Sequence, residues 1–84
     1  MKKVFIGIDF SKLKFDAAIY SVDTKAIVAT EVFDNEQSGY VDFLQWVKEN
    51  TRCQKSRMLF CGEHNGYYLG NLSVFLYESG YDMW

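Results

Sequence analysis

Two short apolar runs, each closed by a carboxylate, constrain this chain more than any other feature. Val4-Phe5-Ile6-Gly7-Ile8 runs into Asp9, and Met58-Leu59-Phe60-Cys61-Gly62 runs into Glu63. Runs this short and this continuous read as strands buried inside a sheet. Each strand then delivers an acid at its C-terminal end, where burial of an unpaired charge is costly. Such an acid must be hydrogen-bonded, ion-paired or bound to a metal. Two of them from neighbouring strands would make half of a divalent-cation site.

The rest of the chain supplies the layers around those strands. Residues 3–10 read as the first strand, and Ser11-Lys12-Leu13-Lys14 as a polar turn. Residues 15–22 read as the second strand, and Asp23-Thr24-Lys25 as an acid-first turn. Residues 26–33 alternate at period two as a third strand, giving an antiparallel meander. The period then changes. Tyr40, Val41, Phe43, Leu44 and Val47 form an i, i+3, i+4, i+7 stripe with Trp46 at its edge, predicting a helix with Asn35 and Ser38 as cap candidates. After a polar connection, residues 57–62 form a fourth strand. Residues 67–79 form a second helix, with Tyr68, Leu69, Leu72, Phe75 and Leu76 on one side and Gly80 as its C′ residue. Tyr81-Asp82-Met83-Trp84 reads as the start of a fifth strand. The expected order is β-β-β-α-β-α-β in an α/β domain, and the stop inside the last strand suggests the N-terminal piece of a longer protein.

Composition narrows the classes. With 84 residues, 49% apolar and 18% aromatic, the chain is long enough for one modest core and too apolar for disorder. The net charge of −2 lacks the basic footprint of a stand-alone nucleic-acid binder. Cys53 and Cys61 lack a metal-binding CxxC spacing and read as free thiols of a reducing compartment, with a disulfide as the alternative. The first apolar run is too short for a signal peptide or a membrane span. A cytoplasmic protein with no membrane partner is expected.

The order and the motifs together resemble a known family. Gly7-Ile8-Asp9-Phe10-Ser11-Lys12, with Asp16 and the small-residue strand Ala17-Ala18-Ile19, resembles the opening motif of insertion-sequence transposases and Piv-like DNA invertases with a RuvC-like DEDD domain. Phe33-Asp34-Asn35 with Gly39, Leu44 and Trp46 is similar to their first helix. Glu63-His64-Asn65-Gly66-Tyr67-Tyr68, followed by Leu69, Leu72, Leu76, Glu78, Gly80 and Tyr81, resembles their Glu-x-Thr-Gly-x-Tyr segment and its helix. The likeness spans residues 4–82. It departs at Asn65, where the family has Thr, and at His64, where a small residue is common.

The resemblance implies a ribonuclease H-like fold and a tetrad of acids, of which Asp9 and Glu63 would be the first two. The last two acids and a second domain with a nucleophilic serine would lie beyond Trp84, so these 84 residues alone would be inactive. It implies two Mg²⁺ or Mn²⁺ ions, about 3.5–4 Å apart in the intact site, with Asp9 and Glu63 as catalytic ligands. It implies DNA as partner, together with a structured guide RNA. Beside it stand the plainer readings. Asp9 caps a turn, Glu63 sits at a helix N-terminus, Asp16 makes a turn-to-strand hydrogen bond, and Ser11 and Lys12 form an exposed hairpin turn. His64, the one histidine, reads as a surface or supporting residue. An exposed edge strand and an uncovered apolar face would favour a homo-oligomer. Two other functional readings remain: a sugar-kinase or actin-like ATPase fragment, and a non-catalytic dimerisation or RNA-docking module.

Overall fold

The computed structural model describes the backbone of residues 2–62 and 66–83, and the side chains of these except 66–69 and 83. Strands β1 (Val4–Phe10), β2 (Lys14–Ser21) and β3 (Ala26–Asp34) form an antiparallel meander. Helix α1 (Gln37–Asn50) crosses back to β4 (Met58–Gly62), and helix α2 (Gly66–Glu78) leads to the short β5 (Asp82–Met83). The strands lie in the order β3-β2-β1-β4-β5, with β4 parallel to β1 and β5 parallel to β4. A parallel neighbour needs a crossover, and α1 and α2 are those crossovers. The domain is therefore a small mixed α/β layer pair.

Both helices contribute to one core on one face of the sheet. Ile6, Ile8, Phe15, Ala17, Ile19, Met58 and Phe60 point into it from the strands. Tyr40, Phe43, Leu44 and Val47 enter from α1, and Leu72 and Leu76 from α2. Phe43 is fully buried at the centre. Its ring packs edge-on against Phe15 at 5.2 Å and Phe60 at 5.7 Å, and contacts Phe33 at 5.4 Å. Trp46 leans on Phe33 and Phe43 from the rim.

The other face of the sheet has no helix among the described residues. Gly7 and Asp9 of β1, Asp16 and Tyr20 of β2, and Thr30 and Val32 of β3 are exposed there, alternating with the core residues. β1 is thus half-buried, with the alternation of a one-sided sheet. The expectation of strands buried on both sides is corrected here, and with it the expectation that Asp9 is buried.

Two further expectations change at α1. Val41 belongs to the apolar stripe by spacing but is 52% exposed, because α1 presents only its Tyr40, Phe43, Leu44 and Val47 line to the sheet. Asn35 and Ser38 do not cap the helix. Glu36 occupies the N-cap position in an extended conformation, without a side-chain cap. Ser38 Oγ donates to Glu36 Oε1 at 3.1 Å, and Asn35 Oδ1 accepts from the buried Tyr40 hydroxyl at 2.7 Å.

Glycine is required at two places. Gly80 has φ +85° and closes α2, with its N–H donating to Tyr77 O and that of Tyr81 to Leu76 O. This is the paired-bond helix stop that a C′ glycine permits. Gly39 sits in the first turn of α1 against the end of β3. A Cβ there would overlap the carbonyl oxygen of Asp34 and lie 2.7 Å from its carbonyl carbon. These are backbone atoms on both sides, so neither can swing away. Gly39→Ala should therefore destabilise the domain by about 1–3 kcal/mol or more. Urea denaturation against the parent protein measures it, and an unchanged midpoint would mean that α1 and β3 are not held this close.

Candidate metal-binding site

Asp9 lies near the C-terminal end of β1, the strand between β2 and β4, one residue past the last β1–β4 pair. Its position is set by two registers. In the parallel pair, Ile8 is level with Gly62, the residue just before Glu63 in the chain. Glu63, His64 and Asn65 lie outside the described residues, so the structure assigns Glu63 no position. In the antiparallel pair, Asp9 is level with Asp16.

The Asp9–Asp16 opposition follows from the tight turn that precedes it. Ser11 N–H donates to Lys14 O at 2.8 Å, and Ser11 Oγ donates to the same oxygen at 3.0 Å, closing a hairpin over Lys12 and Leu13. Counting two residues outward along each strand reaches Asp9 and Asp16, another directly hydrogen-bonded pair, with Cα atoms about 5.5 Å apart. Side chains of directly opposed residues share a face. Both carboxylates are exposed on the helix-free face, and among the described residues neither forms an ion pair or a hydrogen bond. The hydrogen bond read from the sequence for Asp16 is therefore not found among those residues. Ser11 and Lys12 form the plain hairpin turn.

A depression of 740 Å³ opens beside the two acids, lined by Gly7, Asp9, Asp16, Ala18, Cys61 and Gly62 among others. It exists because these strands carry small side chains there. Gly7 stands level with Ala18 and with Cys61, and a Cβ added to Gly7 would meet nothing within 4 Å. Cys61 is the one soft donor on the wall. Partial burial raises its thiol above the ordinary cysteine range, so it stays protonated and neutral near pH 7. Both cysteines are free.

The donor chemistry is that of a hard cation. Two unpaired carboxylates facing each other at the lip of an open depression offer up to four oxygens and a local charge of −2, which suits Mg²⁺ or Mn²⁺. Among the described residues there is no group of three or more His, Cys, Asp and Glu side chains able to hold a metal, so Asp9 and Asp16 by themselves would supply only part of a coordination shell. From sequence, Asp16 matches the family-like opening motif but reads plainly as a turn-to-strand hydrogen bond, not as a site residue. The signal was present, since a two-residue turn over Lys12 and Leu13 makes the opposed positions calculable.

Without a cation the same pair is a liability. Directly opposed like charges destabilise a sheet by roughly 0.2–1 kcal/mol. Asp16→Asn should stabilise the metal-free protein by about that amount at neutral pH, less so in high salt, where exposed charges are screened. Thermal melts at low and high ionic strength test this. A destabilised variant would mean that the Asp16 carboxylate has a favourable partner.

Among the described residues no helix is long and apolar enough to cross a membrane. Compared with known proteins, the chain matches no family model and no curated sequence.

Proposed function

We propose that this chain is the N-terminal part of a ribonuclease H-like, RuvC-type DEDD catalytic domain, belonging to an insertion-sequence transposase or related site-specific recombinase. In this reading the intact cytoplasmic protein cuts and rejoins DNA, with a structured guide RNA as a further partner. The observation that carries the reading is the place of Asp9. It sits at the end of the central strand, exposed, free of an ion pair among the described residues, and one residue beyond the level of Gly62, which precedes Glu63. The antiparallel meander continuing into parallel strands, in the order β3-β2-β1-β4-β5, supports the same reading.

The chemistry is metal-assisted phosphoryl transfer. Asp9 and Glu63 would be ligands, and Asp16, opposite Asp9, would add negative charge at the site's edge. The bound ions would stabilise the attacking and leaving oxygens of an in-line displacement. The chain's own contribution is placement. β1 is held by hydrogen bonds on both sides, so Asp9 is carried on a rigid central strand. The small Gly7, Ala18 and Gly62 leave room beside it for a DNA phosphate.

The test is a Mg²⁺-dependent DNA cleavage and strand-exchange assay on the intact protein that carries this chain. The reading predicts activity that requires Mg²⁺ or Mn²⁺ and is lost on removing either acid. A protein that binds ATP tightly and leaves DNA uncut would favour the actin-like ATPase reading instead.

A further inference from the structure

At the other end of the sheet from Asp9, a second cavity of 550 Å³ opens where β1 begins and β2 and α1 end. Its size lies within the usual range for small-molecule sites. Lys3, Arg52 and Arg57 line it, and Asp23 is the one acid on its wall. Three cations against one carboxylate give a local charge of +2, in a chain whose net charge is −2. That reversal is the feature that needs an explanation.

The pairing inside the cavity sharpens it. Asp23 Oδ1 accepts from Lys3 Nζ at 3.3 Å, which uses the one acid. Among the described residues neither Arg52 nor Arg57 forms an ion pair. The two arginines are brought together by the fold. Lys3 N–H donates to Arg57 O at 2.8 Å, which ties the start of β1 to the connection before β4, and Arg52 follows the end of α1. The negative end of the α1 dipole also points this way, but it is partly covered. Asn50 Nδ2 donates to Trp46 O and Thr51 Oγ1 to Val47 O, each at 2.8 Å, so two of the helix's last carbonyls already have partners. Val28, half exposed, adds an aliphatic side to the cavity above the buried Val4 and Ile19.

We propose that this cavity binds a phosphate monoester carried on an apolar or aromatic body. A dianionic phosphate matches the +2 charge. Arginine forks bind phosphate through paired N–H donors, and the aliphatic wall accepts the group that carries it. A free nucleoside monophosphate and the 5′-phosphate end of a nucleic acid share this chemistry. The inference does not rest on the reading of Asp9, from which the cavity is separated by the length of β1.

The experiment is an amide chemical-shift titration of the protein at low salt with AMP, adenosine, and an oligodeoxynucleotide with and without a 5′-phosphate. Expected are shifts at Lys3, Arg52 and Arg57 with AMP and none with adenosine, weakening as salt rises. Tighter binding of the phosphorylated oligonucleotide than of AMP would identify the nucleic-acid end as the source, and the reverse order a free nucleotide. Arg52→Gln and Arg57→Gln should each weaken binding about tenfold or more, since hydrogen bonds to charged groups are lost. Lys48→Gln makes the same charge change on exposed α1 surface outside the cavity and should leave binding unchanged. Absence of shifts with both phosphorylated ligands would overturn the proposal. So would equal binding of the two oligonucleotides at a strength matching or exceeding that of AMP, or parent-like binding by the Arg52→Gln/Arg57→Gln double variant.

Discussion

Replacing Phe43 with alanine should unfold this domain or bring it close to unfolding. Phe43 is fully buried, and its ring touches Phe15, Phe33, Trp46 and Phe60, joining α1 to strands β2, β3 and β4. Buried Phe→Ala changes cost about 3–5 kcal/mol, through lost transfer energy and the cavity left behind. A domain of this length holds roughly 4–13 kcal/mol in total. The melting temperature should fall by roughly 12–40 °C, at about 4–8 °C per kcal/mol for a domain this small. Val41→Ala is the matched control, because Val41 lies on the same helix but is half exposed. Its effect should stay within about 0.5 kcal/mol. Equal losses at the two positions would mean that α1 is rotated about its axis relative to this packing.

The second large effect is on the proposed metal-dependent DNA cleavage, read in the intact protein. Asp9→Asn removes a charge and the oxygen that the proposed site would use as a metal ligand, while keeping shape. Residues that merely support metal ligands cost 10–100-fold when changed, so loss of a ligand should cut DNA cleavage by at least about a hundredfold. Glu63→Gln should do the same, and His64→Ala should be mild. Asp16→Asn should fall between them, since Asp16 stands beside the site across the β1–β2 ladder. The fold should survive in Asp9→Asn, because the side chain is exposed and among the described residues makes no contact that holds the sheet. A kinetic assay with a parallel thermal melt separates the two effects. Parent-like cleavage by Asp9→Asn would place the metal ligands elsewhere.

Much of this architecture was legible in residue spacing, for identifiable reasons. The period-two run through β2 and β3 and the stripe from Tyr40 to Val47 differ in period, so meander and helix separate cleanly. Gly80 could be placed because a helix stop of this kind needs a left-handed residue. What spacing cannot report is how many layers cover a sheet. A run such as Val4-Phe5-Ile6-Gly7-Ile8 reads as buried on both faces, yet Gly7 is exposed and Phe5 half-buried, because the helices lie on one side only. The same missing information makes Asp9 look buried, while Val41 looks like core because spacing does not fix which line of α1 meets the sheet. Asp16 was recoverable in principle. Once Ser11 and Lys14 close the hairpin, each pair of opposed residues sums to the same number, and Asp9 must face Asp16. The cap of α1 was not recoverable, since Asn35 is drawn to the Tyr40 hydroxyl, a contact that only the packed helix creates.

The central claim, that the Asp9 end of the sheet binds a divalent cation, is open to one direct measurement. Mn²⁺ is paramagnetic and broadens amide signals close to it. Titrated into the protein at neutral pH, it should broaden Asp9, Asp16 and Gly62 first, with the weak affinity of a partial shell, and leave Lys3 and Arg57 at the opposite end sharp. In Asp9→Asn the broadening should disappear. Broadening that is absent, is centred elsewhere, or persists unchanged in Asp9→Asn would contradict the account.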